Sequence, residues 1–124
     1  EEDLYPVGYE MHTIMNRRIV EHLKSQGDPL TEPREVDHYI FFSGEESKNK
    51  FVEEAVKIGY RVTSETVTEE NTPNQISLRL TRTEPVTFSD VTENTALLYD
   101  IAEESGGVYD GWETKLVVPD FSKN

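Results

Sequence analysis

Arg34-Glu35-Val36-Asp37-His38-Tyr39-Ile40-Phe41-Phe42, with the run after it that closes Ala55-Val56-Lys57-Ile58-Gly59-Tyr60-Arg61-Val62-Thr63, is the stretch that decides the fold. Val36, His38, Ile40 and Phe42 fall on one side of a period-two repeat, and Asp37, Tyr39 and Phe41 on the other, which predicts a strand. Both sides turn apolar toward Phe42, as a central strand requires. Ser43 and Glu46 then have capping-box spacing: a serine hydroxyl can accept from a first-turn amide while the glutamate returns to the serine amide. Phe51, Val52, Ala55, Val56 and Ile58 supply the inward side of the helix that follows, and Gly59 is placed to end it. Tyr60 to Thr63 resumes as a strand, with Tyr60 and Val62 on one side, and continues toward Thr68.

The same strand-helix-strand order returns downstream. Glu69 to Asn74 reads as a turn, and beyond it Ile76, Leu78 and Leu80 alternate with Ser77, Arg79 and Thr81 in a half-buried antiparallel strand. Glu84-Pro85 breaks that strand. Ser89 or Asp90 can cap a helix to about Ser105, with Val91, Leu97, Leu98, Ile101 and Ala102 as its apolar side. Gly106-Gly107 stops the helix, and Val108 to Val118 supplies a last strand. Upstream, Met11, Ile14, Met15, Ile19 and Leu23 form one apolar stripe on a helix from about Tyr9 to Gln26. Gly27 ends it, and Asp28-Pro29 through Glu32-Pro33 reads as a short rigid loop.

A helix followed by two strand-helix-strand units predicts an α+β fold. The expectation is a ferredoxin-like split βαβ sandwich: a four-stranded antiparallel sheet with helices on one face, plus an N-terminal helix. The other sheet face is left for that extra helix or for a partner. A length of 124 residues fits a single domain with its core over about residues 9 to 119.

Composition narrows function more than it defines it. There are no cysteines, which removes disulfide frameworks, thiolate metal sites and cysteine nucleophiles together. No apolar run is long enough to span a bilayer, so no membrane partner is expected. The chain starts at Glu1 without a methionine, as a trimmed or processed chain would. The net charge of -13, from 25 acidic and 12 basic residues, repels nucleic-acid phosphates and favours encounter with a basic partner. The acids are scattered in pairs that suit helix faces and loops. Of these, Glu45, Glu46, Glu53, Glu54, Glu103 and Glu104 are the candidate partner-binding residues.

No residue is nominated for catalysis, for a cofactor or for a metal. His12 and His22 are ten apart, about 15 Å along a helix axis, too far to share an ion. His38, alone in a strand, is expected to be packed and hydrogen-bonded. Nucleophile elbows, phosphate-cradling glycine loops and zincin helices are absent. Tyr39 and Phe41 share one side of a strand and could stack bases. The negative field and the missing basic-glycine-aromatic motif favour core or partner packing instead.

Tyr109-Asp110-Gly111-Trp112 is the most unusual segment, holding the only tryptophan. Its structural reading is a strand irregularity in which Gly111 bends, Trp112 packs and Asp110 ties down backbone. Its catalytic reading, a small hydrolase using Asp110, requires a concave pocket and a second acid or histidine.

With that motif the whole chain resembles the regulator of ribonuclease E activity B (RraB) family. The resemblance runs through Ile19-Val20-Glu21-His22-Leu23 before Gly27-Asp28-Pro29, then His38-Tyr39-Ile40-Phe41-Phe42 with the acidic helix to Gly59-Tyr60-Arg61-Val62. It ends on the helix over Leu98 to Ala102 and on Tyr109-Asp110-Gly111-Trp112-Glu113-Thr114. It covers about residues 10 to 119, and the last motif is its specific part. The resemblance implies a ferredoxin-like fold and a non-catalytic, cytoplasmic, bacterial role: stoichiometric binding and inhibition of the endoribonuclease that begins much messenger RNA decay. The partner is then a ribonuclease or RNA-decay protein with a basic segment, with no direct nucleic-acid contact. Better-known members carry a very acidic C-terminal extension, which Asp120 to Asn124 does not repeat. Members also occur in bacteria without that ribonuclease, so an acidic interaction module with another target is the runner-up.

Overall fold

A computed structural model describes residues 7–68 and 75–118. The elements are α1 (Val7–Ser25), β1 (Arg34–Phe42), α2 (Glu45–Lys57), β2 (Arg61–Val67), β3 (Ile76–Glu84), α3 (Phe88–Ser105) and β4 (Gly107–Thr114). The strands form one sheet in the order β2-β3-β1-β4, and every neighbouring pair is antiparallel. This is the ferredoxin-like α+β arrangement expected from the element order, with β1 central. The expected turn over residues 69–74 and the segment beyond Val118 lie outside the described residues.

Side-chain alternation on β1 and β3 aims Ile40, Phe42, Ile76, Leu78 and Leu80 at one face of the sheet. There they pack with Phe51 and Ala55 of α2 and with Leu98 and Ala102 of α3. Beside that core, Val20 and Leu23 of α1 join Val36, Val86, Val91 and Trp112. All three helices therefore cover the same face. On the other face Tyr39 and Phe41 remain half-exposed, and Arg61 of β2 pairs with Glu35 of β1 across β3.

The helix α1 departs from the hydrophobic pattern. Its inward residues are Asn16, Val20 and Leu23, whereas Met11, Ile14 and Met15 are 56%, 55% and 47% exposed. The expected stripe faces outward except at Leu23 and, in part, Ile19. Directional bonds decide the roll. The Asn16 side chain donates to Thr95 Oγ1 at 2.8 Å and accepts from Trp112 Nε1 at 2.7 Å. His12 Nε2–H donates to the Tyr109 carbonyl at 3.0 Å. Rolling the methionines inward would leave the Trp112 Nε1–H donor and the Thr95 Oγ1 and Tyr109 carbonyl acceptors without these partners, at roughly 1–3 kcal/mol for each buried group left unpaired.

Helix ends differ from the expected ones by a residue or two. Gly44, not Ser43, is the N-cap of α2, with no side-chain cap; its carbonyl accepts from Lys48 N–H, and Glu45 and Glu46 meet the helix dipole instead. Thr87, not Ser89 or Asp90, caps α3, its hydroxyl accepting from Asp90 N–H at 3.1 Å. Val56 and Leu97, expected inward, are exposed. At the end of α2, Tyr60 N–H returns to Ala55 O and Gly59 N–H to Val56 O around a left-handed Gly59, as expected of a glycine-terminated helix. The two glycines after α3 have separate causes. Gly106 closes the helix at φ 92°, while a Cβ on Gly107 would lie 2.3 Å from the Phe42 ring.

The strand β4 stops at Thr114, short of the expected Val118, because side chains take over from the ladder. Arg34 grips Asp28 with two bonds, at 2.6 and 2.9 Å, and also donates to the Lys115 carbonyl. Asp28 in turn accepts from Val117 N–H at 3.0 Å and from Leu30 N–H at 2.8 Å. Hydrogen bonding from Arg34 holds the Asp28 carboxyl down at about 2. This ion pair joins the loop after α1, the start of β1 and the chain after β4.

Candidate functional site

The strand pairing breaks once along β4. Tyr39 faces Gly111 and the next residue, Ile40, faces Tyr109, so Asp110 is the extra residue of a bulge. Gly111 leaves open space where a Cβ would be. Trp112 is buried against α1, while Asp110 is exposed and its charge acts on the nearby His12 ring. Backbone in this segment is held by His12, through the Tyr109 carbonyl. Burial lowers the His12 pKa, against the opposing pull of that bond and of Asp110.

Inside the bulge a polar chain runs through the core. Glu84 accepts from His38 Nε2 at 3.3 Å, from Arg82 Nε at 3.0 Å and from the Tyr60 hydroxyl. His38 Nδ1 meets the Tyr109 hydroxyl at 2.8 Å, and Arg82 reaches Ile58 O and Asn94 Oδ1 at 2.7 and 2.9 Å. The Arg82 guanidinium also lies 4.1 Å from the Tyr60 ring centre. Burial pushes the Glu84 carboxyl up, but hydrogen bonds from His38 and Tyr60 and the Arg82 charge outweigh it, so its pKa is lowered. Burial raises both tyrosine hydroxyls well above their ordinary value, with the Glu84 charge adding to the effect.

A carboxylate, an imidazole and a phenol in series resemble acid–base machinery. Here His38, Glu84, Tyr60 and Tyr109 are all buried, and each polar tip is occupied by another. Their role is to satisfy charge beneath the sheet. The expectation that His38 is packed and hydrogen-bonded holds. Reading Glu84-Pro85 only as a strand break missed this network, although Arg82 and Glu84 fall on the inward side of β3. Opposite charges two apart on an inward face demand pairing, and that was the available signal.

The acids nominated for partner binding are all exposed. Phe42 pairs with Gly107, and a Cβ on Gly106 would lie 3.0 Å from Ser47 Oγ, so the start of α2 and the end of α3 share one end of the molecule. Glu45 and Glu46 therefore lie at the same end as Glu103 and Glu104. Glu53 and Glu54 lie about two turns further along α2. Glu45 is engaged by Lys48, and Glu54 by Lys57. A different set of acids borders the concave surface. Asp110 and Glu113 line a groove of about 230 Å³ with His12, Met15, Asn16, Ile19, Tyr39, Gly111 and Trp112. Glu35, Asp37 and Glu113 line an adjoining groove of about 420 Å³ with Arg34 and residues 114–117. Apart from Asp110, sequence reasoning did not nominate these, because pairing across strands brings them together.

No group of three or more histidine, aspartate or glutamate side chains able to hold a metal ion occurs among the described residues. No helix among them is long and apolar enough to cross a membrane. The fold and its occupied interior define an α+β protein with exposed acidic helices and an acid-bordered groove beside its one tryptophan. The family model described as "Regulator of ribonuclease activity B" matches residues 13–114, most of the chain, and the chain belongs to that family. The family is one of regulatory proteins, and its name implies interaction with a ribonuclease. No curated protein matches the chain.

Proposed function

We propose that the chain is a non-catalytic, cytoplasmic regulator that binds an endoribonuclease of the ribonuclease E type stoichiometrically and slows RNA decay. Family membership across residues 13–114 carries this reading. The charge of -13 supports a partner with a basic segment rather than direct contact with RNA. Glu45, Glu46, Glu103 and Glu104 at one end, with Glu53 and Glu54 along α2, are the acids proposed to draw that partner in. Tyr109, Asp110, Gly111 and Trp112 serve as the structural motif that fixes β4 against α1.

Co-purification with the ribonuclease at low and high salt tests the reading. Capture that weakens between about 50 and 300 mM salt, together with slower RNA cleavage, is expected. Absence of both capture and slowing would overturn it. An acidic module with another target is the second reading, favoured if capture fails for the ribonuclease while another basic protein is retained.

Hydrolysis through Asp110 is the weakest reading, though Asp110, Glu113 and His12 do line one groove. The His12 Nε2–H is held by a backbone carbonyl.

A further inference from the structure

The roll of α1 leaves Met11, Ile14 and Met15 facing outward, and Met15 and Ile19 form one wall of the groove beside the bulge. Gly111 and Trp112 form the opposite wall. Gly111 carries no side chain to close it, and Asp110 and Glu113 add exposed charge. At Glu113 the groove meets the second one, which continues past residues 114–117. One continuous stretch, 110–117, thus lines both in turn, a path of roughly 25 Å for an extended chain.

The charges along this path are poorly balanced within the molecule. Asp37 and Glu113 are direct cross-strand neighbours, a pairing that costs stability, and they are met by hydroxyls: Thr81 on Asp37 and Tyr39 on Glu113. Of the two cations lining the second groove, Arg34 is held by Asp28 and Lys115 is exposed. Apolar walls half-open to water, beside carboxylates in excess, complement one kind of occupant.

We propose that this double groove docks an extended segment of a partner protein in which apolar and basic side chains alternate. The apolar side chains enter between Met15, Ile19 and Trp112. The arginines or lysines face Asp110, Glu113 and Asp37. The proposal rests on the partner-binding reading above and gives that partner a seat distinct from the acids of α2 and α3.

Trp112, the sole tryptophan, makes the test direct, because its emission reports on the groove. The probe is a twelve-residue peptide of alternating leucine and arginine, with a leucine–glutamate peptide as control. Wild-type protein should show a saturable emission change with the first peptide and none with the second. Met15→Glu and Asp110→Arg, on opposite walls and both at exposed positions, should each weaken the probe at least tenfold with thermal unfolding unchanged. Glu93→Lys, a charge reversal of the same sign at an exposed position of α3 away from the groove, should leave it within twofold.

Equal binding by all four proteins would overturn the proposal. So would a concentration-dependent dimer, seen by sedimentation, that Met15→Glu dissolves, since the occupant would then be a second copy. Ribonuclease inhibition separates this inference from the reading beneath it. Slowing of RNA cleavage that survives Met15→Glu and Asp110→Arg but is lost in Glu53→Lys would remove the groove and keep the regulator. Groove-dependent peptide binding with no effect of wild type on the ribonuclease would do the reverse.

Discussion

At the scale of single residues, stability is concentrated in buried polar groups bound to one another. Glu84 is surrounded by His38, Tyr60 and Arg82, so Glu84→Leu removes the shared acceptor of three donors, two of them, on His38 and Tyr60, buried. It should cost about 3 kcal/mol by urea unfolding, in line with the loss of one member of a buried ionic network. Trp112→Phe keeps most of the ring's packing but abandons Asn16 Oδ1, and about 2 kcal/mol is expected. Asp28 sets a pH dependence whose sign follows from its partner. Its carboxyl is held down at about 2 in the folded chain against an ordinary aspartate value of 3.8, so on acidification the unfolded chain binds the proton first. The stabilisation is whole above about pH 4 and is lost as pH falls toward 2. Asp28→Asn should therefore lower stability at neutral pH and flatten its dependence on pH between 4 and 2, measured by denaturation at a series of pH values.

At the scale of elements, the order of strands and helices was legible because it rests on local signals. Alternation in Val36 to Phe42 and in Ile76 to Leu80, and the glycines at 27, 59 and 106, each act within a few residues. The roll of α1 was not legible. It is decided by Asn16 and His12 meeting Thr95, Trp112 and the Tyr109 carbonyl, which are 79 to 97 residues away in the chain. Hydrophobic spacing fitted Met11, Ile14 and Met15 equally well, and only the partners on α3 and β4 break the tie. The concave acids were hidden for the same reason, since Asp37 and Glu113 become neighbours through strand pairing. Of the Tyr109 to Trp112 segment, the irregularity could be foreseen from Gly111, but the register that makes Asp110 the extra residue could not. Caps offer a clean check at this scale. Thr87→Ala should cost about 1 kcal/mol, while Ser43→Ala should change unfolding by less than about 0.3 kcal/mol because Gly44 is the true N-cap.

For the whole molecule, three helices on one face of the sheet leave the acids of α2 and α3 and the groove beside β4 as separate surfaces. A net charge of -13 repels itself within the compact chain, and the basic partner proposed above would relieve that repulsion. Binding should accordingly weaken with salt mainly through slower association, a rate effect that stopped-flow mixing reads directly. Regulation by stoichiometric binding differs from enzymatic inactivation in one quantity, the amount of protein needed. Titrating the chain into a fixed concentration of a ribonuclease E-type enzyme, well above the dissociation constant, and following RNA cleavage measures that quantity. A linear fall that breaks at a fixed molar ratio of chain to enzyme, and does not deepen with longer preincubation, is the predicted result. Unaltered cleavage at a large excess, or progressive loss of activity at a small fraction of the enzyme concentration, would contradict it.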